Sequence, residues 1–150
     1  MLKPILLVED NPHDLELTLI ALERSQLAND VIVMRDGAEA LDYLFRRGDH
    51  ADRLPGNPAI MMLDLKLPKV DGLEVLKVVR DSAELRSIPI VMLTSSREGP
   101  DLQRAYELNV NAYVVKPVEF KAFVSAISDL GVFWACLLYT SPSPRDKRQS

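Results

Sequence analysis

The sequence has a single cysteine, Cys136, so no intrachain disulfide can staple it, and that thiol reads as incidental in a reducing compartment. Aromatic residues are only 6% and there is one tryptophan. The core must therefore be built from aliphatic side chains. No apolar run reaches the roughly 18–20 residues of a membrane span. Net positive charge is also missing. The balance is −4, which gives bulk electrostatics no role in holding nucleic acid. The start, Met1-Leu2-Lys3-Pro4, runs straight into a strand-like segment and lacks the tripartite pattern of a secretory signal. A cytoplasmic location is the default expectation. What remains is 150 residues, 47% hydrophobic and 27% charged, a usual size and composition for one globular domain.

Short aliphatic runs alternate with longer amphipathic stretches. The runs are Ile5–Val8, Val31–Met34, Ala59–Leu63, Ile90–Leu93 and Ala112–Val115. Most are continuously apolar, as strands buried on both faces of a parallel sheet are. Between them, Leu15, Leu19 and Leu22 mark a first helix with Asn11 or Asp14 as its cap. Ala38 to Phe45 reads as a second and Leu73, Leu76 and Val79 as a third. Leu102, Ala105 and Tyr106 give a fourth, with Pro100 near its start. Phe120, Phe123, Val124 and Ile127 give a fifth. This alternation predicts an α/β fold, a doubly wound open parallel sheet with helices on both faces. Arg46 to Pro58, polar and carrying Gly48, Pro55, Gly56 and Pro58, interrupts the rhythm as a long surface loop.

Such sheets bind ligands beyond the carboxyl ends of their strands. There the sequence places Glu9-Asp10, Asp64, Thr94-Ser95 and Lys116-Pro117. Taken singly, each has an ordinary reading as a loop start, a helix cap or a surface turn. Together they bring three carboxylates, a hydroxyl and an ammonium to one edge. Neighbouring carboxylates resist joint ionisation unless a cation joins them. Mg²⁺ suits them because it takes hard oxygen ligands and keeps several waters. One carboxylate is then left as a nucleophile. Thr94 and Lys116 can each contact a phosphoryl oxygen, so the set suits phosphoryl transfer by positioning and electrostatics.

The segments Ile5 to Asn11, Met62 to Gly72, Val91 to Ser95 and Ala112 to Pro117 closely resemble receiver domains of two-component signalling, over roughly Lys3 to Leu130. That resemblance implies a flavodoxin-like sheet of five strands in the order 2-1-3-4-5 with five flanking helices. It implies Asp64 as phosphoacceptor and Asp10 as a direct Mg²⁺ ligand. By the same resemblance Glu9 is expected to act on the metal through water and the backbone carbonyl of Lys66 to be a further ligand. It implies that Thr94 and Lys116 contact the phosphoryl group, that Thr94 and Tyr113 form the switch, and that the Lys116-Pro117 bond is cis. The phosphoryl donor that the resemblance implies is a sensor histidine kinase, acting with Mg²⁺ at the site. The domain labels itself and hydrolyses its label without being an enzyme toward other substrates.

A narrower resemblance lies in Asn11-Pro12-His13-Asp14, the loop after Tyr43-Leu44-Phe45, Asp64 to Pro68, and Gly131 to Trp134. These are similar to single-domain response regulators, many of which serve phytochrome-type kinases. The output is then a protein contact, with a homodimer as a family-based expectation and Val132, Phe133 and Trp134 as a candidate surface. His13 is expected on the first helix beside the site, not as a ligand. His50 has no partner apparent in the sequence. Ser96, two residues after Thr94, and Lys66, two after Asp64, occupy places that influence hydrolysis of the label in this family. The receiver is expected over residues 1–134. Residues 135–150, ending in a Ser, Pro and charge-rich stretch, read as a disordered or foreign tail. Three other readings stay open on the residues alone: the receiver half of a truncated DNA-binding regulator, a metal-dependent phosphatase on a similar fold, and a binding module that works without phosphorylation.

Overall fold

The computed structural model describes residues 2–95 and 99–129. Ser96, the apolar segment Val132 to Trp134 and the tail at 135–150 lie outside them. The strands are β1 (Ile5–Val8), β2 (Val31–Met34), β3 (Ile60–Asp64), β4 (Ile90–Thr94) and β5 (Ala112–Val115). The helices are α1 (Pro12–Arg24), α2 (Gly37–Phe45), α3 (Gly72–Asp81), α4 (Pro100–Glu107) and α5 (Phe120–Asp129). All strand pairs are parallel and the order is β2-β1-β3-β4-β5. Among the described residues no helix is long and apolar enough to cross a membrane.

Alternate residues of each central strand feed two separate cores. Leu6, Val8, Met61, Leu63 and Met92 pack with Leu41, Leu44, Val75, Leu76 and Ala105 on the side of α2, α3 and α4. Ile5, Leu7, Ile60, Met62, Val91 and Leu93 pack with Ala21, Leu22, Phe123 and Ile127 on the side of α1 and α5. Each fully buried aliphatic side chain contributes about 1.5–3 kcal/mol relative to exposure. Both faces of the centre are covered, which is why β1, β3 and β4 read as unbroken apolar runs. The outer strands differ. β2 is only half-buried over Val31 to Val33, and β5 alternates buried with half-buried residues. They are the edges of the sheet, where one neighbour is missing, so their apolar sequence overstates their burial.

The helix starts are fixed locally. Asn11 caps α1 by accepting the Asp14 N–H, Asp36 caps α2 through the Glu39 N–H, and Asp71 caps α3 through the Glu74 N–H. Gly72 begins α3 directly against the carbonyl of Asp64. A Cβ there would overlap that oxygen and crowd Leu65, so glycine is what lets α3 approach the end of β3.

The polar segment Arg46 to Pro58 is more ordered than its composition suggests. It contains a short 3₁₀ turn at Gly48–His50. Arg53 donates to the carbonyls of Tyr43 and Leu44 in the last turn of α2 and stacks on the Tyr43 ring at 4.1 Å. Helix-end carbonyls lack partners within the helix, and a guanidinium satisfies them well. His50 packs edge-on to Tyr43, and its buried Nε2 lies 3.5 Å from Glu39 without a hydrogen bond to it.

Candidate functional site

Strand ends and the loops that follow them put the site together. Glu9 follows β1, with its N–H donated to the Met34 carbonyl, and is fully buried. Asp10 comes next, more open to solvent, with its carbonyl accepting from Arg35. Asp64 is the last residue of β3 and Thr94 the last of β4, at 4% and 3% exposure. Lys116 follows β5, its N–H donating to the Thr94 carbonyl at 2.7 Å, and its bond to Pro117 is cis.

The Lys116 ammonium is the hub. Its Nζ lies 2.9 Å from Asp64 Oδ2, 2.9 Å from Glu9 Oε1 and 3.1 Å from Asp14 Oδ2. The backbone N–H of Lys66 donates to Asp64 Oδ1. Asp64, Thr94, Lys66, Lys116 and Asp14 line an open cleft of about 370 Å³. A larger cleft of about 490 Å³ lies behind β5, between Tyr106, Tyr113 and Ala126, away from the carboxylates. Tyr113 is half-buried at its rim, with its ring edge-on to that of Tyr106 at 6.0 Å.

All the strand-end residues singled out in the sequence therefore meet at one edge, except that the Lys66 side chain turns outward to Asp101 at 2.7 Å. Only its backbone faces Asp64. His13 is exposed on the first turn of α1. Asp14 was visible in the sequence as a capping candidate, yet it stands in the site. The usable signal was its place in the first turn of a helix that starts immediately after the Glu9-Asp10 pair.

Electrostatics make the cluster dependent on cations. Burial, followed by a hydrogen bond shared with Asp64, pushes the Glu9 carboxyl up to about 7, although Lys116 pulls the other way. Burial acts to lower Lys116, but the Asp64 and Glu9 carboxylates outweigh it and hold the ammonium above its ordinary value. Glu9 Oε1 is fully buried, and the Lys116 ammonium 2.9 Å away is shared with Asp14 and Asp64. Oxygens of Glu9, Asp10 and Asp64 lie within 4.8 Å of one another. Three clustered carboxylates beside a single ammonium fit a divalent cation that prefers hard oxygen ligands.

This carries a sign that can be measured. Glu9 has a folded-state value above its ordinary 4.5, so its contribution to stability is complete below 4.5 and is lost as pH rises through about 7. A divalent cation held at Glu9, Asp10 and Asp64 would offset that loss. The rise in thermal midpoint caused by Mg²⁺ should therefore be small at about pH 5 and several-fold larger at about pH 8. Equal increments at both pH values, measured by scanning calorimetry against a chelator control, would disconnect Glu9 from the cation.

A family profile, the response regulator receiver domain, matches residues 5–128. The bacteriophytochrome response regulator RtBRR is 69% identical, with 96% of this chain and 86% of that chain covered and a TM-score of 0.86. Response regulator Rcp1 of Synechocystis is 36% identical over 132 residues, 88% of each chain. Its Mn²⁺-bound structure is 34% identical in the aligned region, covers 93% of this chain and 99% of that chain, and has a TM-score of 0.74. The phosphorylated cyanobacterial phytochrome response regulator RcpA is 36% identical, with 95% and 100% covered and a TM-score of 0.75. These relatives are matched over 86%, 88%, 99% and 100% of their own length.

Proposed function

The chain belongs to the response regulator receiver domain family, and on that premise we propose that Asp64 is its phosphoacceptor, working with Mg²⁺ at the Glu9, Asp10 and Asp64 carboxylates. The observation that carries this reading is the Lys116 ammonium at 2.9 Å from Asp64 Oδ2, beside an acidic trio at the carboxyl edge of the sheet. Asp10 and Asp64 hold the cation directly, Glu9 through water, and the Lys66 carbonyl completes the protein ligands. When bound, the cation neutralises charge on phosphoryl oxygens.

Asp64 attacks phosphorus in line with the leaving group. Lys116 moves one N–H to a phosphoryl oxygen, and Thr94 donates its hydroxyl to another. The burial of Asp64 and Thr94 makes these contacts stronger than they are in water. The donor is a sensor histidine kinase in the cytoplasm, of phytochrome type by analogy with RtBRR and RcpA, whose names carry that association. The reaction is self-labelling followed by self-hydrolysis, not turnover of outside substrates. Intact mass after incubation with Mg²⁺ and acetyl phosphate tests this reading. One added phosphoryl group, absent when Mg²⁺ is chelated, is the expected result.

Output follows from the charge added at Asp64. A phosphoryl group brings about −1.5 to −2 charges and three acceptors, which draw Thr94 inward. Tyr113 then fills the vacated space and reshapes the face around α4, β5 and α5. Thr94→Ala should still accept the label, about ten-fold more slowly for loss of one charge-assisted hydrogen bond. Its Tyr113 ring resonances should stay fixed on labelling, whereas those of the wild type shift. The same shift in both proteins would remove Thr94 from the switch.

A further inference from the structure

Lys116 has one more carboxylate than phosphoryl transfer requires. Asp14 Oδ2 sits 3.1 Å from Nζ, close to the 2.9 Å of Asp64, and its side chain is 25% exposed. It lines the same cleft as Asp64 and Thr94. Its backbone is fixed from both sides. Asn11 accepts the Asp14 N–H as the helix cap, and the Thr18 hydroxyl donates to the Asp14 carbonyl. The helix thus sets the backbone of Asp14 without using its carboxylate, which faces the ammonium.

We propose that Asp14 is a selectivity residue of this site: beside Lys116 it supplies a fourth negative charge that favours the divalent cation and opposes anionic phosphoryl donors. The proposal rests on the reading of Asp64 as phosphoacceptor. An ammonium has three N–H groups, and carboxylate oxygens of Glu9, Asp64 and Asp14 lie 2.9, 2.9 and 3.1 Å from this one. A phosphoryl oxygen that reaches Lys116 therefore enters beside the Asp14 charge.

The charge of Asp14 bears unequally on the two half-reactions. In labelling by acetyl phosphate, an Asp64 oxygen bonds to phosphorus as the bond from phosphorus to the acetate oxygen breaks, and acetate leaves with the electron pair. An anion must enter for this to happen, and Asp14 repels it. In hydrolysis, a neutral water attacks the same phosphorus, Asp64 leaves as carboxylate, and the proton lost by water goes to solvent or phosphate. No anion enters, so Asp14 has little to oppose.

The test compares wild type, Asp14→Asn and Asp14→Glu with acetyl phosphate at saturating Mg²⁺, alongside Mg²⁺ titration calorimetry and thermal midpoints. Asp14→Asn should be labelled about five-fold faster, the size of one partly screened unit charge a few ångströms away. Its hydrolysis rate should stay within about two-fold of wild type and its Mg²⁺ affinity should fall several-fold, both for the same electrostatic reason. Asp14→Glu should restore both values toward wild type. Labelling that is unchanged or slower in Asp14→Asn overturns the proposal. So does a lowered thermal midpoint with both rates reduced together, which would make Asp14 only a support for α1. If wild type takes no label at all, the phosphoacceptor reading itself fails and this proposal falls with it.

Discussion

Asp64→Asn is expected to take no label from acetyl phosphate and Mg²⁺ under conditions that fully label wild type. A carboxamide has the shape of the carboxylate but neither its charge nor its nucleophilic oxygen. Loss of a nucleophile that acts with its neighbours as one unit removes nearly all of the reaction, on the order of a thousand-fold or more. The fold should survive. The amide oxygen can still accept the Lys66 N–H, and Lys116 keeps Glu9 and Asp14 beside it. Removing one of several crowded negative charges also relieves repulsion in a site with a single ammonium. The variant should therefore unfold at or above the wild-type temperature in chelator and gain less from Mg²⁺. Intact mass and calorimetry on the same samples separate a chemical loss from a folding loss. A label that persists in folded Asp64→Asn would place the phosphoacceptor on another residue.

Much of this site could be read before any coordinates because it is written at strand ends. In a parallel sheet the residues that follow apolar runs share one edge whatever the strand order. Glu9, Asp10, Asp64, Thr94 and Lys116 were therefore legible from the alternation alone. The strand order was not, since it came only from resemblance to a family. Burial at the sheet edges was not legible either. Val31-Ile32-Val33 is as apolar as Ile5-Leu6-Leu7, and only the sheet reveals which run has a neighbour on one side.

Long-range side-chain partners were hidden for the same reason. Asp14 and Lys116 are 102 residues apart in sequence, and nothing local to either one announces the contact. Arg53 looks like any loop arginine until the end of α2 is seen to leave two carbonyls within its reach. Lys66 shows the opposite case. Two residues after Asp64, it is expected in the site through its backbone carbonyl, and its ammonium turns outward to Asp101 at the start of α4. Backbone placement is set by pattern, whereas the direction of a long flexible side chain is set by whichever opposite charge the fold brings close.

Lys116→Met tests the charge balance on which the whole site depends. The side chain is 14% exposed, and its removal leaves Glu9, Asp14 and Asp64 facing one another without a cation. Removing one partner from a buried ion pair costs about 3–5 kcal/mol. Here the cost should vary with pH in a defined direction. Lys116 is one of the groups that lower Glu9, so its loss moves that carboxyl further up from about 7. A carboxyl with a raised folded-state value contributes its stability at low pH and loses it as pH rises. The deficit of the variant in chelator should therefore be small at about pH 5, where Glu9 is protonated, and largest at about pH 8. Mg²⁺ should recover most of it, because a divalent cation at Glu9, Asp10 and Asp64 replaces the missing charge. Labelling should not recover with it. The phosphoryl oxygen that Lys116 would pair is then left without that donor, which should slow transfer on the order of a hundred-fold. A variant as stable as wild type at about pH 8 in chelator would mean that the ammonium is not what holds the carboxylates together. A stable, Mg²⁺-loaded variant that labels at the wild-type rate would separate Lys116 from the chemistry and leave it a purely structural charge.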